Sequence, residues 1–442
     1  MAKALRFPEG FLWGISTSAY QFEGHNYNSQ WAHWEQKGGI KSRERSGRAS
    51  NWWEQAERDF DLARELGVNA LRLSVEWSRI EPRPGDWDLI ALQRYQSMVQ
   101  GLQKRGILPI VSLHHFTHPY WFEEMGGFLS DDAPRFFERF TRRILRALGG
   151  LCKHWVTFNE PNVFCTLAYL FEEFPPGKRG DIRSAAQAMV NIARSHVRAY
   201  DAIHEVQRDA SVGWTTNYVV FQPARPGFLQ DRFAANLQHR LFNMSFAHLV
   251  AKGTLPFPLN LFGRSKEAMG ECDFVGLNVY SRAHVQFKKH LPAQLFGHIF
   301  IPDDAPQGDK GLYNPYGEAY PQGIAEAVER LHQPGKPVYI LENGVPDRDD
   351  RIRPWLITTA VEELHQLIQR GYDVRGYFHW SLVDNFEWSE GWTLRFGLVS
   401  LDPETQQRTP RPSARLFSTI AHANALDPEL ASNYTNDPVD ST

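Results

Sequence analysis

The stretch WWEQAERDFDLARELGVNALRLSV, Trp52 to Val75, decides the fold. Up to Gly67, the apolar residues Ala56, Phe60, Ala63 and Leu66 recur with the period of one helix face. Gly67 is a residue type that commonly stops a helix. The pattern then changes, and Ala70–Val75 is a short apolar run of strand character. A helix feeding directly into a buried strand is half of a β/α unit.

The same alternation runs along the whole chain. Strands are predicted at Phe11–Ser16, Ala70–Val75, Leu108–Leu113, His154–Phe158, Val212–Asn217, Asp273–Asn278, Val338–Glu342 and Arg375–Trp380. Helices are predicted at Trp52–Gly67, Ala133–Gly150, Ser184–Val206, Arg232–Lys252, Tyr320–His332 and Pro354–Arg370. Near-continuous apolar strands separated by helices read as a parallel sheet covered on both faces. Eight of them favour a closed (β/α)8 barrel, the TIM barrel, over an open sheet. An open doubly wound sheet would follow its first strand with G-x-G-x-x-G, whereas this chain continues TSAYQFEG. The reading is an α/β protein with one barrel domain over 1–425, its active-site loops at the carboxyl ends of the strands. The polar segment 426–442 is expected to be loose.

Composition narrows the function. Hydrophobic residues are 42% and charged residues 22% of the chain, an ordinary globular balance. Lys+Arg 48 against Asp+Glu 51 gives a net charge of −3 without a basic face, so no nucleic-acid partner is expected. The start, MAKALRFPEGF, holds no apolar run of signal-peptide or membrane-span length, so no membrane partner is expected. Cys152, Cys165 and Cys272 form no metal or redox spacing, and so sparse a set suits reduced thiols in a cytoplasmic enzyme. Nothing in the sequence fixes an oligomeric state.

In a barrel the chemistry sits where the strands end. Gln21 follows strand 1, Arg72 lies on strand 2, and His114 and His115 end strand 3. Asn159 and Glu160 end strand 4, and Asn217 ends strand 5. Asn278 and Tyr280 end strand 6, Glu342 and Asn343 strand 7, and Trp380 strand 8. Glu160 and Glu342 are abrupt charges after apolar runs. Singly, each could cap a helix or pair with an arginine. Together, on strands 4 and 7, they suggest glycosidic bond cleavage, which needs one carboxylic acid and one carboxylate. A separation of roughly 5–5.5 Å gives retention and roughly 6.5–9.5 Å inversion. HHFTH, His114 to His118, invites a zinc reading, but the other strand ends hold Asn, Gln and Trp rather than further ligands. No metal and no cofactor are expected. A barrel that binds sugar without catalysis would have lost one of the acids.

TFNEP (Thr157–Pro161), ENG (Glu342–Gly344) and WSLVDNFEW (Trp380–Trp388) resemble glycoside hydrolase family 1, the β-glucosidase and β-galactosidase group. FPEGFLWGISTSAYQFEG (Phe7–Gly24), RLSVEWSRIEP (Arg72–Pro82), LNVY (Leu277–Tyr280) and RFGL (Arg395–Leu398) match in order, so the resemblance spans Phe7 to Phe417. It implies Glu160 as general acid/base and Glu342 as nucleophile of a retaining exo-β-glycosidase working by double displacement. It implies that Arg72 and Tyr280 hold Glu342 ionised, and that this charge with partial desolvation raises the pKa of Glu160. Asn159 and Asn278 are implied as positioning amides. The stretch YFHWSLVDNFEWSEGW, Tyr377 to Trp392, mixes rings and acids because a pyranose has an apolar face and a hydroxyl rim. Trp380 is the implied platform; Glu387, Trp388, Gln21 and His115 the hydroxyl partners; Phe396 an apolar wall. An acid at Glu387 implies unphosphorylated β-glucosides, with β-galactosides and β-fucosides, as small-molecule or oligosaccharide substrates. Leu341, Phe116 and AYLFEEFPPG (Ala168–Gly177) depart from the family pattern, the last two toward the leaving-group side. A cis Trp380–Ser381 peptide is also implied.

Overall fold

The computed structural model describes residues 3–291, 294–312 and 316–434. Eight parallel strands close on themselves: β1 Leu12–Ser16, β2 Ala70–Ser74, β3 Leu108–His114, β4 His154–Asn159, β5 Ser211–Pro223, β6 Val275–Phe287, β7 Val338–Asn343 and β8 Val374–His379. Each pairs with the next, β8 pairs with β1, and β6–β7 pairing completes the ring. The expected (β/α)8 barrel is therefore present, with every predicted strand in place.

The connecting helices are α1 Trp52–Glu65, α2 Leu89–Gln103, α3 Ala133–Leu148, α4 Pro161–Tyr169, α5 Ile182–Val206, α6 Leu229–Phe242, α7 Ser245–Lys252, α8 Gly323–Leu331, α9 Arg353–Gln369 and α10 Pro412–Ala423. On α1 the apolar stripe Ala56, Phe60 and Ala63 is buried, and Gly67 leaves the helix at φ 78°. The single helix expected over Arg232–Lys252 is two. Asn243 ends α6 because its side chain accepts from Val219 N at 3.0 Å and donates to Val219 O at 2.8 Å, holding the turn to β5.

Inside the barrel, the lower layer is filled by Ala70, Ile110, Val156, Phe274, Tyr339, Leu341 and Phe378. Glycines make room for the rings: a Cβ on Gly14 would lie 2.2 Å from the Phe378 ring, and one on Gly213 2.8 Å from Phe274. This plug closes the amino end of the barrel and leaves space at the carboxyl end. The segment expected loose from 426 is packed at its start. Leu426 pairs with Leu5 across an antiparallel bridge, and Pro428–Ser432 is a short helix with Ala431 buried. Apolar Leu426 and Ala431 supply burial that a polar tail would lack; 435–442 lies outside the described residues.

The connection Arg282–Pro321 is strand in part. β6 runs on to Phe287, Gly297–Phe300 returns antiparallel along it, and Glu318–Ala319 pairs with Ser281–Arg282. Glu318, buried, forms an ion pair with Arg282 and a hydrogen bond with His284 Nε2 at 3.0 Å. This arrangement carries Gly311 and Tyr316 to the barrel mouth.

Candidate active site

Strands turn alternate side chains inward. On β2, Ala70 belongs to the interior plug and Arg72 sits one layer above it. On β6, Asn278 and Tyr280 point inward in the same rhythm. Glu342 breaks it, and so do Phe158 and Asn159 on the strand that leads to Glu160. On β7, Tyr339 and Leu341 lie inside, so simple alternation would turn Glu342 out. The ladder to β6 shifts register between Ile340 and Glu342, and that to β8 between Ile340 and Asn343. On β4, Val156 is inside, yet Phe158 stacks on Phe137 of α3 with ring centroids 4.4 Å apart. The ladder to β5 shifts between Val156 and Asn159, and Glu160 adopts φ 44°. Such irregularities re-aim side chains. Here both acids end on the wall of one cavity of about 310 Å³ at the carboxyl end of the barrel.

Their surroundings differ. Glu342 forms an ion pair with buried Arg72 and accepts the Tyr280 hydroxyl at 2.5 Å. Burial pushes Arg72 down to about 10, which leaves it cationic at neutral pH, and pushes the Tyr280 phenol well up, which keeps it a donor. Glu160 meets neutral amides: Asn278 Nδ2 at 2.7 Å and Asn217 Nδ2 at 3.0 Å both reach Oε1. Burial raises its carboxyl above the ordinary value, against the lowering pull of Asn217, Asn278 and the charge of Arg72. The sequence expected the charge of Glu342 with partial desolvation to lift Glu160, and burial is the leading cause.

Asn159 joins the two halves. Its Oδ1 receives Arg72 Nη1 at 3.2 Å, Thr215 Oγ1 at 2.7 Å and Asn278 Nδ2 at 3.1 Å. With the oxygen so occupied, Nδ2 faces His115 Nε2 at 3.1 Å and donates to it. The His115 proton therefore sits on Nδ1, which has no hydrogen-bond partner among the described residues. Burial, then the charge of Arg72, keeps the ring neutral. Across the cavity, Gln21 Nε2 donates to Glu387 Oε2 at 3.1 Å and to Asn385 Oδ1 at 2.8 Å. Glu387 is pushed up to about 8 by burial first, then by Glu390 and Glu160, while hydrogen bonds from Gln21 and Trp380 pull it down. The fully charged acceptor expected at this position is thus mostly protonated near neutral pH.

His115, Asn159, Tyr280, Trp380, Glu387 and Trp388 line the cavity with the two acids; Arg72, Asn278 and Gln21 bond to them from behind. Phe396 does not face the cavity as expected. At 1% exposure it packs behind Tyr280 and Tyr316, whose rings cover it. His114 and His118 face away among Phe128 and Phe164, and His118 pairs with Glu123 at 2.9 Å. Trp380–Ser381 is cis. The sequence reading missed Lys41, whereas Phe116, Glu173 and Phe174, which line the cavity, belong to the segments it placed toward the leaving-group side. Lys41 sits between Glu173 at 3.1 Å and Glu390 at 2.6 Å on the outer wall. No local pattern marks a pair brought together from two loops. Val163 and Leu167 were also missed, although their spacing from Glu160 puts them on one face of α4.

A closed barrel with two unequal buried carboxyls at its carboxyl end defines a class: enzymes in which acid–base work is done by carboxyl groups alone. The Glycosyl hydrolase family 1 pattern matches residues 3–426, and the chain belongs to that family. Beta-glucosidase A of Thermotoga maritima is 31% identical, the match covering 96% of this chain and 99% of that protein. A beta-galactosidase of Pyrococcus woesei is 29% identical over 96% and 98%. A solved beta-glycosidase of Pyrococcus horikoshii superposes with a TM-score of 0.89 at 35% identity, covering 98% of this chain and 99% of that one.

Proposed function

We propose that the chain is a retaining exo-β-glycosidase for unphosphorylated β-D-glucosides, β-galactosides and β-fucosides. Glu342 attacks the anomeric carbon as Glu160 gives its proton to the leaving oxygen, and the alcohol departs. A water then gives its proton to Glu160 and its oxygen to the anomeric carbon, and the ester to Glu342 breaks. The observation that carries this reading is the contrast between the two acids. Glu342 is held by a cation and a phenol, while Glu160 is surrounded by amides and raised by burial. The related proteins are named for both glucosides and galactosides, which supports the breadth of the sugar range. Lys41 is the one lysine or arginine on the described cavity wall, and two carboxylates hold it, which supports a sugar without phosphate.

Gln21, His115, Asn159, Glu387 and Trp388 are assigned to the sugar hydroxyls and Trp380 to its apolar face. Asn278 and Arg72 act through the acids they bond. The barrel over 1–425 is assigned as one catalytic domain that works without a cofactor. Reduced Cys152, Cys165 and Cys272, all buried, support a cytoplasmic setting. Among the described residues no helix is long and apolar enough to cross a membrane. The test is hydrolysis of an aryl β-glucoside followed by proton NMR. The β-anomer forms first, and Glu342→Gln lowers turnover by roughly 10⁴-fold or more. An α-anomer formed first, or normal turnover in the variant, refutes the assignment.

A further inference from the structure

Behind the catalytic cavity, a chain of amides and hydroxyls joins the segment after β8 to the short helix Ala19–Glu23 that follows β1. Its members Ser18, Gln21, Ser381 and Asn385 are all buried. Ser381 Oγ donates its single hydrogen to Val383 O at 2.8 Å, so toward Asn385 it can only accept. Asn385 Nδ2 donates to Ser381 Oγ at 3.0 Å, which turns Asn385 Oδ1 to Gln21. Gln21 Nε2 gives one hydrogen to Asn385 Oδ1 at 2.8 Å and the other to Glu387 Oε2 at 3.1 Å. Ser18 Oγ donates to Gln21 Oε1 at 2.7 Å. Turned over, the Gln21 amide would set its oxygen against two others, Asn385 Oδ1 and Glu387 Oε2. Ser18 does not oppose that turn, since a hydroxyl can rotate and accept instead. Asn385 is the neighbour that tells the two orientations apart.

We propose that Asn385 is a positioning residue for the glycosidase reaction: it fixes the Gln21 amide with an N–H on Glu387 Oε2, so that Glu387 presents its other oxygen to the sugar. The inference rests on the assignment of Glu387 to the sugar hydroxyls. Because Oε2 accepts from Gln21, the proton that burial keeps on Glu387 belongs to Oε1. A reversed Gln21 would take that proton on its own oxygen, and the acid would have none left to donate to a hydroxyl. With Glu387 ionised, the reversal would replace an attraction by a repulsion. In a buried network no water makes good either loss.

The experiment is a double-mutant cycle read as kcat/KM on p-nitrophenyl β-glucoside. Asn385→Leu lowers kcat/KM by about 5- to 100-fold, the cost of one misdirected buried hydrogen bond. In the Glu387→Leu background, itself impaired, adding Asn385→Leu costs less than about twofold, because Gln21 has no carboxyl left to orient. Ser381→Ala, which removes the acceptor that fixes Asn385, acts in the same direction and with the same dependence on Glu387. It decides alone if Asn385→Leu does not fold. A cost that is equal in both backgrounds is that of a merely structural role and overturns the inference. Full activity of Asn385→Leu does so too. Normal turnover by Glu387→Leu overturns the assignment of Glu387 to the sugar and this inference with it.

Discussion

Replacing Glu387 by Gln should make the protein more stable, and only at higher pH. The Glu387 carboxyl stands at about 8 against an ordinary 4.5, with burial the leading cause. Between those values the folded chain keeps a proton that the unfolded chain releases. Stability from this group is therefore complete below the ordinary value and declines as pH rises through about 8. The interval corresponds to about 5 kcal/mol, and water at the cavity mouth screens part of it, leaving about 2–4 kcal/mol. Gln has the same shape and does not titrate. For 442 residues the unfolding entropy is about 0.9 kcal/mol per kelvin, so each kcal/mol moves Tm by about 1 °C. Tm of both proteins, measured by scanning fluorimetry at one fixed rate, should nearly coincide at about pH 5 and differ by about 2–4 °C, Gln higher, at about pH 8. Glu23, which burial raises to about 7, titrates in both proteins and cancels in the difference. Curves that stay parallel within about 0.5 °C, or a Gln variant that is less stable at the higher pH, would refute the buried-carboxyl argument.

Tyr280→Phe removes one neutral donor from ionised Glu342 and should lower kcat/KM by about 10- to 100-fold, the range of one hydrogen bond to a charged group; an unchanged value excludes the role. Asn217→Leu removes a hydrogen bond that favours the ionised form of Glu160, so its carboxyl rises further and the acid keeps its proton longer. The alkaline limb of the kcat/KM profile should move to higher pH, and movement in the other direction counts against Glu160 as the acid. Glu160→Ala should slow alkyl glucosides by about 10²–10⁴-fold and activated aryl glucosides far less, with azide restoring part of the turnover; equal loss on both without rescue removes the assignment.

The period change at Gly67 was enough to define a β/α unit, because burial on both faces of a parallel strand demands an unbroken apolar run. Eight repeats of that signal defined the barrel, and the polar residue after each run marked its mouth. Glu160 and Glu342 stood out because a charge ending an apolar run has no place in a core. α2, α4 and α10 are absent from the sequence reading, although their sequences are ordinary helical ones, since the strand pattern does not depend on them. The break at Asn243 was hidden because its partner is the backbone of Val219, on a different element.

What the linear sequence determines is which residues are apolar, with what period, and hence the strands, the helices and the closed sheet. It does not determine where Asn159 and Glu342 point. Counting alternate residues from Val156 puts Phe158 inside the barrel, and from Leu341 it puts Glu342 outside. The register shifts in β4 and β7 reverse both outcomes, and they depend on how neighbouring strands pair around the ring. The upward shift of the Glu160 carboxyl is likewise a tertiary property. It comes from the water excluded by walls drawn from distant strands, which outweighs the lowering pull of Asn217, Asn278 and Arg72, and none of this is encoded in the residues next to it.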